Sequence, residues 1–136
     1  MTKFGSNKPT PATCTAKLAA VGDALYAIGG KWKLRIIIAL VDGANRFNEL
    51  QRTVVGISAR VLSNELKELE MNGFVRRNVH VQTPVVLEYE LTEYSQTLEK
   101  VLQSLSEWGA MHRAHIQQKG REGNAGSQEY STFVIQ

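Results

Sequence analysis

Residues 56–70 read GISARVLSNELKELE. Leu62, Leu66 and Leu69 recur at i, i+4 and i+7, the stripe of a helix with one face on a core. Ser58 is a good N-cap, because its hydroxyl can accept one of the orphan amides of a first helical turn. Gly73, after Asn72, stands where a left-handed C-cap is wanted. The opposite face carries Arg60, Ser63, Asn64 and Lys67. Such a face is either solvated or laid against a partner, and the flanking segments decide between the two.

Upstream, Leu18, Val21, Leu25 and Ile28 are spaced three, four and three, which predicts a helix over 17–28 stopped by Gly29-Gly30. Trp32, Ile36, Ala39 and Leu40 predict a second helix, ended by Asp42-Gly43. The run Ile36-Ile37-Ile38 would also suit a buried strand. A short helix over 48–54 follows, with Asn48 as its candidate cap, and Gly56 breaks it.

Downstream, 74–81 is rich in β-formers, and Leu87, Tyr89 and Leu91 alternate cleanly within 86–91. Gln82-Thr83-Pro84 between them supplies a turn. Thr92 caps a long helix from Glu93 to about Gln118, with a stripe of Leu98, Val101, Leu102, Leu105, Trp108 and Met111. At 1.5 Å per residue it spans about 40 Å. Residues 1–15, rich in Pro, Thr, Asn, Lys and Gly without periodicity, read as a flexible arm, and the Gly- and Ser-rich residues 119–136 as a flexible tail. The folded domain is then 16–118.

Composition agrees with one globular domain. The chain has 136 residues, 43% hydrophobic and 21% charged, enough for a single core and short for two. No apolar run approaches the roughly 18–20 residues needed to cross a bilayer. The first residues lack the apolar segment of a secretory signal, and the single cysteine permits no internal disulfide; both fit the cytoplasm. The net charge of +3 is unevenly spread: residues 31–84 carry +4 and residues 85–118 carry −3. A basic middle suits a surface that meets an anion.

The order helix, helix, short helix, helix, hairpin, long helix is that of a winged helix-turn-helix, an α+β fold that is mainly α. There the second helix of the pair keeps its apolar stripe on the core and offers its other face to a DNA groove. The side chains suit that use. Arg60 can donate two parallel hydrogen bonds to guanine, Asn64 can pair bidentately with adenine, and Ser63 can meet a base edge or phosphate. Ser58, Ala59 and the amides behind them form a helix N-terminus suited to a phosphate oxygen. Lys67 and Asn48 extend the candidate surface. In the hairpin, His80, Gln82 and Thr83 would reach the DNA backbone or minor groove, and Arg76 and Arg77 would neutralise phosphate. Glu65, Glu68 and Glu70 count against a wholly basic helix, and are expected to point sideways or back toward the protein.

Several stretches together resemble one known family, the HxlR-type winged helix-turn-helix bacterial transcription regulators. They are GGKW at Gly29–Trp32, RFNEL at Arg46–Leu50, GISARVLS at Gly56–Ser63, LKELEMNGFVRR at Leu66–Arg77, the segment from Pro84 through Thr92, and WG at Trp108-Gly109. The match covers about residues 20–116 in one order and spacing. The resemblance implies a homodimeric, sequence-specific DNA-binding regulator. Its recognition helix corresponds to Ser58–Asn72, and its first and last helices build the dimer. A physical argument points the same way: one small domain can hardly cover both the stripe of Leu18, Val21 and Leu25 and that of a 40 Å helix. A two-fold dimer would place two recognition helices on a near-palindromic operator.

Some family members resemble redox sensors that use a cysteine just before the first helix. That position falls here on Ala19, followed by Ala20, and Cys14 lies five residues earlier as a candidate thiol. His112 and His115 share a face but lack further metal ligands at nearby spacing. No glycine-rich phosphate loop, HExxH or GxSxG motif is present, so neither an enzyme nor a cofactor is expected. The alternative is a winged-helix module that binds protein rather than DNA. A small-molecule effector is compatible with either, and a MarR-like regulator would share the fold.

Overall fold

The computed structural model describes residues 10–123. In chain order they form α1 (Pro11–Ile28), α2 (Lys33–Val41), α3 (Phe47–Thr53), α4 (Ala59–Met71), β1 (Val75–His80), β2 (Val86–Leu91), a 3-10 helix (Glu93–Leu98) and α5 (Glu99–Gly123). The chain divides into two compact units, one ending at Ser95 and the other beginning at Gln96.

In the first unit α2, α3 and α4 enclose a core of Ile36, Ile37, Ala39, Leu40, Leu50, Val54, Ile57, Leu62, Leu66 and Leu69, which Phe74, Val75 and Tyr89 extend into the hairpin. The Ile36–Ile38 run is helical. A strand would put Ile36 and Ile38 on one face, whereas Ile36 and Ile37 are buried and Ile38 is 45% exposed.

Two helices end alike. Gly43 follows α2 at φ +110 and Gly73 follows α4 at φ +84, a region that glycine enters without Cβ strain. Behind α2, Ala44 N–H donates to Ala39 O and Gly43 N–H to Leu40 O; behind α4, Phe74 N–H donates to Leu69 O and Gly73 N–H to Glu70 O. This is the paired bonding of a Schellman cap, and it satisfies carbonyls that the helix leaves free. The second cap delivers the chain straight into β1.

β1 and β2 pair antiparallel, with Val75 opposite Leu91, Arg77 opposite Tyr89 and His80 opposite Val86. Residues 81–85 form the loop, so β1 ends one residue before the expected 81. The outer edge of β2 is also engaged: Tyr89 N–H donates to Asn45 O at 2.7 Å.

Four further features differ from expectation. First, residues 11–15 are helical rather than an arm. Thr10 caps α1, its hydroxyl accepting Thr13 N–H at 3.2 Å, and Pro11 follows where a missing amide costs nothing. Residues 1–9 lie outside the described residues. Second, α5 runs through Gly123, so 119–123 are helix rather than tail, and 124–136 lie outside the described residues.

Third, the long helix begins as a 3-10 turn. Thr92 caps it, accepting Ser95 N–H at 3.3 Å, but Ser95 N–H also donates to Thr92 O three residues back, and Ser95 Oγ donates to the same carbonyl at 2.5 Å. Those bonds tighten the turn. Fourth, Asn48 does not cap α3. The helix starts at Phe47, and Glu49 closes it from inside by accepting Arg46 N–H at 3.1 Å and Asn45 N–H at 3.3 Å.

Candidate nucleic-acid interface

Ser58 caps α4 as expected, its hydroxyl accepting Val61 N–H at 3.1 Å. Leu62, Leu66 and Leu69 are buried, which turns Arg60, Asn64 and Lys67 outward on the opposite face. Ser58 and Ala59 are exposed at the N-terminal end and Ser63 is half-buried at the flank. Among the described residues Arg60, Asn64 and Lys67 take part in no side-chain hydrogen bond or ion pair. Their donors are free.

The acidic residues of α4 behave differently. Lys33, in the first turn of α2 and only 7% exposed, stands 2.9 Å from Glu65 and 3.5 Å from Glu68. Burial pulls the Lys33 ammonium down, but the hydrogen bonds and negative charges of Glu65 and Glu68 together lift it above its ordinary value. Two of the three carboxylates are thereby held to one flank, and one of their two charges is offset. Glu70, in the last turn, is exposed and makes no ion pair among the described residues.

The hairpin sorts its basic residues in a way the sequence reading did not. Arg77 is exposed and makes no ion pair among the described residues. Arg76 is bound across the ladder to Glu90 at 2.6 Å, so the two arginines expected to neutralise phosphate are not equivalent. Glu90 is held below the usual carboxylate value, chiefly by a hydrogen bond from Asn78, against a small opposing effect of burial and with help from Arg76. His80 is likewise engaged, its Nε2 lying 2.9 Å from Glu88. The other oxygen of Glu88 accepts from Asn45 Nδ2 at 2.8 Å, which ties the hairpin to the loop after α2. Gln82 and Thr83 are exposed in the hairpin loop, and Asn48 is exposed on the first turn of α3.

Three contributors escaped the sequence reading. Lys33 carried a signal, a lone lysine inside the run KLRIII. Asn45 carried none. Trp32, expected only as a member of the second helix's apolar stripe, is half-buried. Lys31 Nζ stands 4.7 Å from its ring centre, and a Cβ added at Gly56, in the turn that leads to α4, would meet the far edge of the ring at 3.8 Å.

The proposed dimer stripes are uncovered. On α1, Leu18, Val21 and Leu25 are each more than half exposed, and no residue of that helix is buried. On α5, Val101, Leu105, Trp108 and Met111 are 40–57% exposed and Leu102 is half-buried. Leu98 is the exception. It is buried within the single chain and so is withdrawn from the partner-facing set. Cys14 is exposed, in the first turn of α1 rather than in an arm. His112 stacks on Trp108 at 4.7 Å, and no cluster of three metal-ligating side chains exists among the described residues.

Residues 27–117 match the model of the HxlR-like helix-turn-helix. The chain belongs to the HxlR-like family. It is a helix-turn-helix regulator of the DNA-binding kind. Among curated relatives, the uncharacterized HTH-type transcriptional regulator YybR of Bacillus subtilis is 44% identical over 65% of this chain and 71% of its own length. An uncharacterized HTH-type transcriptional regulator of Methanothermobacter thermautotrophicus is 38% identical over 77% of this chain and 80% of its own. Among solved structures, the redox regulator HypR in its reduced form has a TM-score of 0.68 at 40% identity, over 73% of this chain and 98% of its own. The reduced form of the transcriptional regulator YodB from B. subtilis has a TM-score of 0.59 at 36% identity, over 74% of this chain and 91% of its own. The HxlR-like fold accordingly spans the whole winged helix described above. No helix among the described residues is long and apolar enough to cross a membrane.

Proposed function

We propose that this HxlR-like chain acts in the cytoplasm as a homodimer on a near-palindromic operator, each α4 entering the major groove and each hairpin lying on the flanking backbone. The observation that carries the reading is the division of charge on α4. Arg60, Asn64 and Lys67 are exposed and unengaged, while Glu65 and Glu68 are drawn aside by Lys33. Base edges in the major groove need unengaged donors in that position. The exposed apolar stripes of α1 and α5 support self-association. The reading assigns the chain no catalytic step.

The proposal includes a response to a small effector or an oxidant that changes the dimer. Of the two regulators that this chain resembles, HypR is a redox regulator and YodB is a transcriptional regulator solved in reduced and diamide-treated forms. An oxidant would act here on Cys14, the sole cysteine. With one thiol per chain, oxidation gives a disulfide only by joining two chains or by taking up a separate thiol, and otherwise stops at a sulfur oxyacid such as the sulfenic acid.

The test is fluorescence anisotropy with a duplex from upstream of the chain's own gene and a scrambled duplex, over a range of salt. The expected result is a preference for the native duplex that persists at physiological salt. Absence of binding even at low salt would overturn the reading in favour of a protein-interaction module.

A further inference from the structure

Lys33 is almost wholly buried, yet nothing in the core calls for a charge there. A buried ion pair is weak support for stability, because desolvating both partners offsets most of their attraction. Its geometric effect is specific. On a helical wheel Leu62, Leu66 and Leu69 point one way and Arg60, Asn64 and Lys67 nearly the opposite way. Glu65 and Glu68, three residues apart, share one flank between them. An apolar stripe alone tolerates small rotations of a helix, since leucines repack. Two carboxylates gripping one ammonium at 2.9 and 3.5 Å do not.

We infer that Lys33 is a positioning residue for operator reading: from α2 it locks the rotation of α4 about its own axis and so sets which base edges Arg60 and Asn64 reach. The inference rests on the DNA-binding reading above and deepens it. A 20° roll of α4 would carry side chains on a helix of about 5–6 Å radius through about 2 Å. Base hydrogen bonds do not survive that displacement, whereas long-range attraction to phosphate does. The lock therefore governs specificity more than bare affinity. It has a second effect: it offsets one of the two negative charges of Glu65 and Glu68 beside the polyanion.

The test compares wild type, Lys33→Gln and Lys33→Arg on native and scrambled duplexes, well below each variant's melting temperature, with folded fraction checked by circular dichroism. Lys33→Gln is expected to lower the native-over-scrambled affinity ratio roughly tenfold, the scale of one good bidentate base contact, with the salt slope kept. Lys33→Arg, which keeps the charge and the donors, is expected to restore most of that ratio. A merely structural lysine would lower melting temperature and leave the ratio of the folded protein unchanged, and that outcome overturns the inference. Should Lys33→Gln not fold, Glu65→Gln serves, since its partner Lys33 retains Glu68; an unchanged ratio there overturns the inference equally. If wild type itself shows no preference between duplexes, the DNA reading has failed rather than the lock.

Discussion

Arg76 and Glu90 face each other across the hairpin with 2.6 Å between guanidinium and carboxylate, while Arg77, one residue on, makes no ion pair among the described residues. Neighbouring arginines of one strand point to opposite faces, and only one face supplies a glutamate. The two should therefore differ on DNA. Arg77→Ala is expected to weaken binding to every duplex and to reduce the salt slope by roughly one. Arg76→Ala is expected to change the slope less, because Glu90 already balances the charge of Arg76. Equal slopes for the two variants would contradict the assignment.

Arg60 projects from the exposed face of α4 and makes no contact that holds the protein together. Arg60→Ala is expected to leave thermal stability unchanged and to cost about 1–3 kcal/mol of specific binding, with discrimination relaxed at a single base position. Anisotropy against duplexes substituted one base pair at a time checks this. A uniform loss across all of them would make Arg60 a phosphate contact.

Gly73 adopts φ +84 between α4 and β1. A Cβ there would meet Tyr94 at 3.8 Å, an ordinary contact, so crowding is not the obstacle. The cost of Gly73→Ala is conformational, about 1–2 kcal/mol, and should appear as a lower urea midpoint with an unchanged m-value.

Lys33 and Tyr89 both hold their protons more tightly in the folded chain than their ordinary values of 10.5 and 10.0 imply. For Tyr89 burial is the main cause, opposed by Arg77 and aided by Glu70. Groups whose pKa is raised on folding contribute stability that is complete below the unfolded value and disappears as pH climbs through the folded one. Unfolding free energy is thus expected to keep the full contribution of both groups, with no pH dependence from them, up to about pH 9.5 and to decline above it. Lys33→Met should show a shallower alkaline decline than wild type. A steeper one would contradict the sign.

Leu105 lies on α5 and is 49% exposed. Leu105→Glu places a charge in a surface proposed to be covered in the dimer, where it would be desolvated without a partner. The variant is expected to sediment at half the wild-type mass with its helix content intact. Unchanged mass would place the dimer contact elsewhere.

The legible parts of this molecule were those encoded locally. The α4 stripe, its Ser58 cap and the Gly73 stop all lie within sixteen residues, and each follows from spacing or φ preference alone. The Pro- and Thr-rich start of α1 misled because composition outweighed one cap: Thr10-Pro11 is a helix-start signal read as linker. The partners of charged residues were not legible. That Glu65 and Glu68 would turn aside was expected, but the lysine that turns them lies 32 residues from Glu65 in the chain. Likewise Arg76 finds Glu90 only once the hairpin register is set, and two strands joined by a loop of unknown geometry admit more than one.

The bond from Tyr89 to Asn45 has a consequence for how the protein behaves at high concentration. A two-stranded ribbon displays a row of unpaired amides and carbonyls, a template for strand addition by another chain. Here the tips add Val79, Val81 and Val85, all more than half exposed, which would favour such pairing. Asn45 occupies the bonding position of Tyr89 on the open side of β2, and the adjoining Glu88 sets a charge beside it. At that position the edge of β2 is closed to strand addition, which shortens the run of free amides that another chain could pair with beside the apolar tip.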